Sequence, residues 1–125
     1  MTQSERDIRH NTVWSFETDR FFVGFYAELE DEDPSDQFDE IDVAAIREGR
    51  VDYFCAVIRV YLKSDDAYSW EEIGWDYLGS CAYRHASDFR DGSYFPGMVR
   101  EACRMARQSL ARMGGVATTL RAGVA

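Results

Sequence analysis

The sequence predicts an α+β fold, a four-stranded antiparallel sheet with two helices in the order ββαββα. Four segments alternate their apolar residues with the two-residue period of a strand, and two segments repeat apolar residues at helical spacing. The links between neighbouring strands are short, which favours antiparallel pairing with the helices on one face of the sheet. With 125 residues and a hydrophobic fraction of 46%, the chain is long enough for one domain with a packed core.

The first two predicted strands, residues 11–17 and 21–30, are joined by a short polar turn. The two-residue period divides the second strand into two faces. We interpret as core the odd-numbered face, which consists of Phe21, Val23, Phe25, Ala27 and Leu29. The face that we expect to point outward consists of Phe22, Gly24, Tyr26, Glu28 and Glu30.

The first predicted helix covers residues 36–48, because Phe38, Ile41 and Ala45 recur at helical spacing and Gly49 is a natural end. Its first turns are rich in acids, which the helix dipole stabilises.

Two further strands and a second helix complete the predicted domain. The strands cover residues 51–62 and 70–80, and the helix covers residues 95–113, with an apolar stripe on one side and arginines on the other. We expect residues 11–113 to form the single domain. Residues 1–10 are then a flexible leader and residues 114–125 a frayed tail.

The net charge of −9 is distributed unevenly along the chain. Residues 1–80 hold 20 Asp and Glu against 7 Lys and Arg, whereas residues 81–125 hold 3 against 7. The stretch ELEDEDPSDQFDEID, residues 28–42, holds nine carboxylates and no basic residue. Because phosphates would be repelled, direct binding to nucleic acid is disfavoured, and a basic protein surface is the favoured partner.

The sequence motifs give no support for catalysis or for a cofactor. No phosphate-binding loop, HExxH motif or paired-cysteine metal motif is present, and we expect the three cysteines to be reduced and structural. Cys81, His85 and Asp88 are close in sequence, but we interpret them as a loop cysteine and surface residues. We therefore predict a protein without enzymatic activity, catalytic residues, metal or cofactor.

A calcium loop is an alternative interpretation of residues 31–42, since their oxygen-bearing side chains follow the spacing of an EF-hand loop. Asp36 stands where that loop needs glycine, and a strand rather than a helix precedes it.

The acidic stretch is instead a candidate docking surface. Glu28, Glu30 and Glu32 alternate at the end of the second predicted strand, about 6.6 Å apart on one side, which is comparable to the spacing of phosphates along a nucleic-acid strand. Such a row fits a Lys/Arg groove that is built for DNA or RNA.

Aromatic residues on the same outward faces are candidate anchors for a protein partner. The alternatives are that the charge only keeps the protein soluble, and that the aromatic residues form a second layer of core or a homodimer contact. The predicted partner-binding residues are Glu28, Glu30, Asp31, Glu32, Asp33, Asp36, Asp39, Glu40, Phe22, Tyr26, Tyr53 and Tyr61.

The stretches ELEDEDPSDQF, DYLGSCAY and DFRDGSYFPGMVREA resemble small proteins encoded by proteobacterial phages and mobile elements, and this resemblance covers most of residues 13–110. Compact acidic proteins of that origin are similar in kind to anti-CRISPR and other anti-defence inhibitors, several of which imitate nucleic acid. The resemblance implies an inhibitor that binds the Lys/Arg-rich nucleic-acid channel of a host defence complex, such as a Cas effector complex.

The cell compartment follows from the absence of targeting signals. The start MTQSERDIRH lacks the apolar region of a secretory signal, and no apolar run reaches the roughly eighteen residues of a membrane span. We expect a cytoplasmic protein, which for a phage product is the host cell cytoplasm, with no membrane partner.

Overall fold

The five strands of the described chain form one antiparallel sheet, and the same residues also contain three α-helices. The computed structural model describes residues 2–113. The strands are β1 (Thr2–Gln3), β2 (Thr12–Glu17), β3 (Phe21–Glu28), β4 (Asp52–Leu62) and β5 (Trp70–Tyr83). The α-helices are α1 (Glu5–Arg9), α2 (Glu40–Arg47) and α3 (Tyr94–Arg112), and 3₁₀ helices cover Pro34–Asp36 and Ala86–Asp91.

The strand order in the sheet is β1-β5-β4-β3-β2. The four predicted strands thus follow one another as a meander, and each pairs with its sequence neighbour in antiparallel register, as Phe25 opposite Ile58 illustrates. The α+β class and the antiparallel sheet are confirmed. The prediction of four strands and two helices is wrong in detail, because residues 2–9 add a strand beside β5 and a helix.

The first face of the sheet carries the main core under α3. Phe25 and Ile58 are fully buried there against Phe89, Phe95 and the inner side of α3. The helix lies very close to β5 because Gly74 has no side chain, and a Cβ atom built on it would lie 2.2 Å from the Ala102 carbonyl oxygen. The predicted core positions Phe21, Val23 and Phe25 and the apolar stripe of the last helix are confirmed on this face, whereas the predicted core position Ala27 is exposed.

The second face of the sheet has a smaller core that the sequence analysis placed in solvent. Ile8 of α1 packs there on Phe22, Tyr61 and Trp70, and all four are buried. The expectation of a flexible leader over residues 1–10 is therefore wrong for residues 2–9, whose backbone is ordered by pairing with β5 and by the helix that carries Ile8.

Ion pairs also hold α1 in place. Arg9 makes two parallel hydrogen bonds to Glu17 of 2.8 and 2.9 Å, and Lys63 binds the same carboxylate. The Arg9 guanidinium lies over the rings of Phe22 and Trp70 at 5.1 and 5.5 Å from their centroids. The short helix thus closes the second core with both its apolar and its cationic side chains.

The larger boundary differences from the prediction are the end of β5, which is Tyr83 rather than residue 80, and two boundaries within residues 28–42. Strand β3 ends at Glu28 rather than at residue 30, and α2 begins at Glu40 rather than at residue 36. Helix α2 begins later because Asp39 is its N-cap and accepts a hydrogen bond of 2.9 Å from the Asp42 amide. The predicted frayed tail, residues 114–125, lies outside the described residues.

Candidate functional site

The acidic segment, defined here as residues 28–42, runs from the end of β3 through the first 3₁₀ helix into α2. Its own carboxylates shape it. Asp33 accepts hydrogen bonds from the Ser35 amide at 3.0 Å and from the Ser35 hydroxyl at 2.9 Å, and these bonds lower the pKa of Asp33. The predicted phosphate-like row is wrong as a strand feature, because Glu30 and Glu32 follow the end of β3.

Contacts to the sheet fix the position of the acidic segment. The Glu30 carboxylate accepts a hydrogen bond from the Ser80 amide of β5. The Tyr53 hydroxyl donates to the Glu32 carbonyl oxygen at 2.9 Å, and the Phe38 ring meets the Tyr53 ring edge-on at 6.1 Å. The side chains of Glu30 and Tyr53, which the sequence analysis assigned to partner binding, are thus engaged inside the molecule.

Most of the carboxylates in the acidic segment have no cation beside them. Glu28 is paired with Arg59 of β4, and Asp33 lies 3.5 Å from Arg47 of α2. Within residues 2–113, no ion pair is made by the other seven, and all except Glu30 are exposed. These seven are Glu30, Asp31, Glu32, Asp36, Asp39, Glu40 and Asp42. The segment therefore presents a strong negative field to solvent.

Two large apolar side chains are exposed within this acidic segment. Leu29 is 87% exposed and Ile41 is 77% exposed. The prediction that Leu29 belongs to the core is wrong, because β3 has already ended and the chain has turned away from the sheet. The acidic segment thus exposes apolar as well as charged side chains.

The prediction of exposed aromatic anchors is wrong for Phe22, Tyr26 and Tyr61. Phe22 is 1% exposed under α1, and Tyr26 and Tyr61 are also buried. Burial raises the pKa of Tyr61 to about 12. These residues form the second layer of core, the alternative that the sequence left open, because α1 covers the face on which they lie.

Tyr26 has a specific role in holding α1. Its hydroxyl donates a hydrogen bond to the Ile8 carbonyl oxygen, and its ring lies across Gly24, where an added Cβ would come within 2.7 Å of the ring. The Arg59 guanidinium lies on the ring at 5.8 Å from its centroid. Burial raises the pKa of Tyr26, so the hydroxyl stays protonated as a donor.

The sequence analysis missed a pair of exposed aromatic residues on the open half of the second face. Trp75 and Tyr77 of β5 are stacked with ring centroids 5.5 Å apart and an interplanar angle of 24°. They are 41% and 59% exposed. The sequence signal was the alternation in IGWDYL, residues 73–78, in which Trp75 and Tyr77 are two residues apart and therefore share one face of the strand. Ile73 faces the first-face core instead, because a bulge in the pairing of β4 with β5 interrupts the alternation next to it.

Together with β4 this pair encloses what we call the aromatic groove, of about 340 Å³. The groove is lined by Cys55, Val57, Arg59, Trp75 and Tyr77, together with Glu28 and Glu72. Arg59 binds both carboxylates, with 3.1 Å between its Nε atom and the Glu72 Oε1 atom. The groove adjoins the acidic segment, because Glu28 belongs to both.

Of the residues considered for chemistry, His85 and Asp88 are in contact, and the interpretation of Cys81 as a loop cysteine is wrong because it lies in β5. The buried Cys81 thiol donates to the Leu78 carbonyl oxygen at 3.3 Å, and burial raises its pKa to about 11. His85 is exposed at the start of the second 3₁₀ helix, where its amide donates to Asp88. Within residues 2–113 no group of three or more His, Cys, Asp or Glu is placed to hold a metal ion.

The calcium interpretation of residues 31–42 is not supported by their geometry, since Asp33 and Asp39 act as helix caps. Among the helices of the described part of the chain, none combines the length and the apolar character that crossing a membrane requires.

Comparisons of the chain with protein-family models, with curated proteins and with solved structures gave no match.

Proposed function

We propose that this chain is a non-enzymatic inhibitor whose acidic segment docks on a basic, nucleic-acid-binding surface of a host defence complex. The six exposed carboxylates without a cation, a set that leaves out Glu30, occupy the place of phosphates in a channel lined by Lys and Arg, and so exclude the nucleic acid. The type of target, such as a Cas effector complex, is the one implied by the resemblance of the sequence to phage-encoded inhibitors.

The observation that carries this proposal is the combination of charge and apolar exposure in one fixed segment. Leu29 and Ile41, at 87% and 77% exposure, lie in the same segment as these carboxylates. A docking surface uses both features, because the acids steer the approach and the apolar side chains are buried on contact.

The fixed shape of the segment supports the same conclusion. Glu30 and Tyr53 tie its backbone to β5 and β4, and Asp39 begins α2. A segment that is ordered before binding loses less conformational entropy on docking than a mobile acidic loop would.

The experiment is a displacement assay with purified nucleic-acid-binding defence complexes, Cas effector complexes first. Labelled DNA is bound to the complex, and its release by the inhibitor is followed by fluorescence anisotropy. The test variant replaces Asp31, Glu32 and Asp36 by Lys, since these side chains are exposed and make no ion pair within residues 2–113.

The matched control replaces Asp19, Asp65 and Asp91 by Lys. These acids are exposed and lie outside the acidic segment, so both variants change the net charge of −9 by the same amount. We expect the wild-type chain and the control to release DNA and the test variant to fail. The proposal would be refuted if the test variant released as much DNA as the wild-type chain, or if the wild-type chain released DNA from none of the complexes.

A homodimer through the sheet face is the second candidate function. Tyr61, which the sequence analysis placed in such a seam, is buried under α1. The observation that favours a homodimer is instead the exposed stacked pair of Trp75 and Tyr77. Sedimentation velocity distinguishes the two candidate functions. If the wild-type chain is a dimer and the Trp75→Ala variant is a monomer, a second copy of the chain covers this face.

A further inference from the structure

The aromatic groove is the strongest unexplained feature of the surface. Trp75 pairs with Arg59 across β4 and β5, and Tyr77 pairs with Val57, so the two rings lie on the open half of the second face. Exposed Trp and Tyr side chains that lie together beside a groove are enriched at interaction surfaces.

The charges around the groove determine what can cover it. Arg59 is engaged by Glu28 and Glu72, so one cation faces two carboxylates. The acidic segment begins at Glu28 and adds further negative charge beside the groove. Among the groups that stack on aromatic rings, a nucleobase of a nucleic acid carries phosphates that this negative field would repel, whereas a guanidinium group is attracted by it.

A second copy of this chain is also a poor occupant. It would bring the same two carboxylates and the same engaged Arg59 against their counterparts, and each chain carries a net charge of −9. Like charges across an interface are unfavourable. The complementary occupant is a cation with a flat apolar face.

We propose that the aromatic groove binds an arginine side chain of the partner protein. The guanidinium stacks on the outer face of the Trp75–Tyr77 pair, whose rings already stack on each other, and donates hydrogen bonds to Glu28 or Glu72. Arginine suits this site better than lysine, because its planar group stacks on aromatic rings and is more weakly hydrated. This inference rests on the proposed function and specifies it: the acidic segment supplies charge, and the groove selects an arginine of the basic surface.

Two peptides are suitable probes, one of nine arginines and one of nine lysines with the same label. Their dissociation constants are measured by fluorescence anisotropy at about 0.15 M salt, where exposed charges are screened beyond about 8 Å. The test variant is Trp75→Ala/Tyr77→Ala. The control is Tyr68→Ala, because Tyr68 is 80% exposed and lies outside the groove. Circular dichroism checks that each variant is folded.

We expect the wild-type chain to bind the arginine peptide more tightly than the lysine peptide. The test variant should lose between about twofold and thirtyfold in affinity for the arginine peptide and should lose the preference, whereas Tyr68→Ala should keep both. The absence of a preference in the wild-type chain, or its survival in the test variant, would overturn the inference. A wild-type homodimer that is lost in the test variant would also overturn the inference, because a second copy of the chain would then occupy the groove.

The charge variant of the acidic segment shows whether the arginine inference fails alone or together with the proposed function. Replacing Asp31, Glu32 and Asp36 by Lys should weaken both peptides and leave the preference for arginine intact. If that variant weakened neither peptide, the proposed function would fail while the groove remained. If it weakened both while the groove variant kept the preference, only the arginine inference would fail.

Discussion

Replacing Gly74 by Ala tests how the structure positions β5 and the residues that it presents. The new Cβ would lie 2.2 Å from the Ala102 carbonyl oxygen and 2.8 Å from the Ala106 amide nitrogen, and both are backbone atoms of α3. The helix would have to retreat by roughly 1 Å before these contacts became ordinary van der Waals contacts. No side-chain rotation can relieve them.

The magnitude follows from this geometry. Overpacking typically costs about 1–3 kcal/mol, and the obstacle here is helix backbone over a closed core, so we expect about 3 kcal/mol. That is a large part of a stability of about 5–15 kcal/mol. With a urea m value of about 1.5–2 kcal/mol/M, the unfolding midpoint should fall by roughly 1.5–2 M.

The assay is equilibrium unfolding in urea, and Gly97→Ala is the control. Gly97 lies in α3, and a Cβ there meets only the Arg100 side chain at 3.8 Å. That variant should gain up to about 1 kcal/mol from helix propensity. A Gly74→Ala midpoint within about 0.3 M of the wild-type value would refute the close approach of α3 to β5.

Three further predictions concern the attachment of α1 and of the acidic segment. Hydrogen bonds from Arg9 and then Lys63 lower the pKa of Glu17 from 4.5 to about 2. Because the folded pKa is the lower one, the stabilisation is complete above pH 4.5 and is lost as the pH falls towards 2. The melting temperature of the wild-type chain should therefore exceed that of Glu17→Gln at pH 6 and approach it at pH 2. A difference in melting temperature that stays constant with pH would contradict this. Tyr26→Phe removes the hydrogen bond to the Ile8 carbonyl oxygen, so we expect about 1 kcal/mol less stability and faster amide exchange in residues 5–9, and unchanged exchange would count against it. Tyr53→Phe removes the hydrogen bond to the Glu32 carbonyl oxygen, which should cost about 1 kcal/mol of stability. A Glu-specific protease should then cut within residues 28–40 faster than in the wild-type chain. An unchanged cleavage rate would mean that Tyr53 does not hold the segment.

The sheet was predictable because its apolar pattern is long and regular. Strand β4 alternates over eleven residues, and its first-face positions, such as Phe54 and Ile58, are buried as expected. The same strand is also apolar on its other face at Val57 and Tyr61. That double pattern is typical of a strand covered on both sides, so the second layer had a sequence signal that the exposed-anchor interpretation did not use.

The element that provides the second layer was not predictable from periodicity. A two-residue strand and a five-residue helix, Thr2–Gln3 and Glu5–Arg9, are too short to show a repeat. Their stability comes from tertiary contacts, with Ile8 buried and Arg9 paired with Glu17.

The limits of the acidic segment were also set by tertiary structure. Leu29 continues the alternation of β3, but the pairing of β3 with β4 stops at Glu28 opposite Cys55. Beyond that point Glu30 turns to the Ser80 amide, and local periodicity has no information about such a contact.

The association rate of the chain with a captured nucleic-acid-binding target, measured as a function of ionic strength, tests the central claim most directly. If the acidic segment steers docking, the rate for the wild-type chain should fall at least about tenfold between 0.05 and 0.5 M salt. The variant with Lys at positions 31, 32 and 36 should associate slowly at every salt concentration. A wild-type rate that stays constant with salt, or an equal rate for the two proteins at 0.05 M salt, would contradict the account.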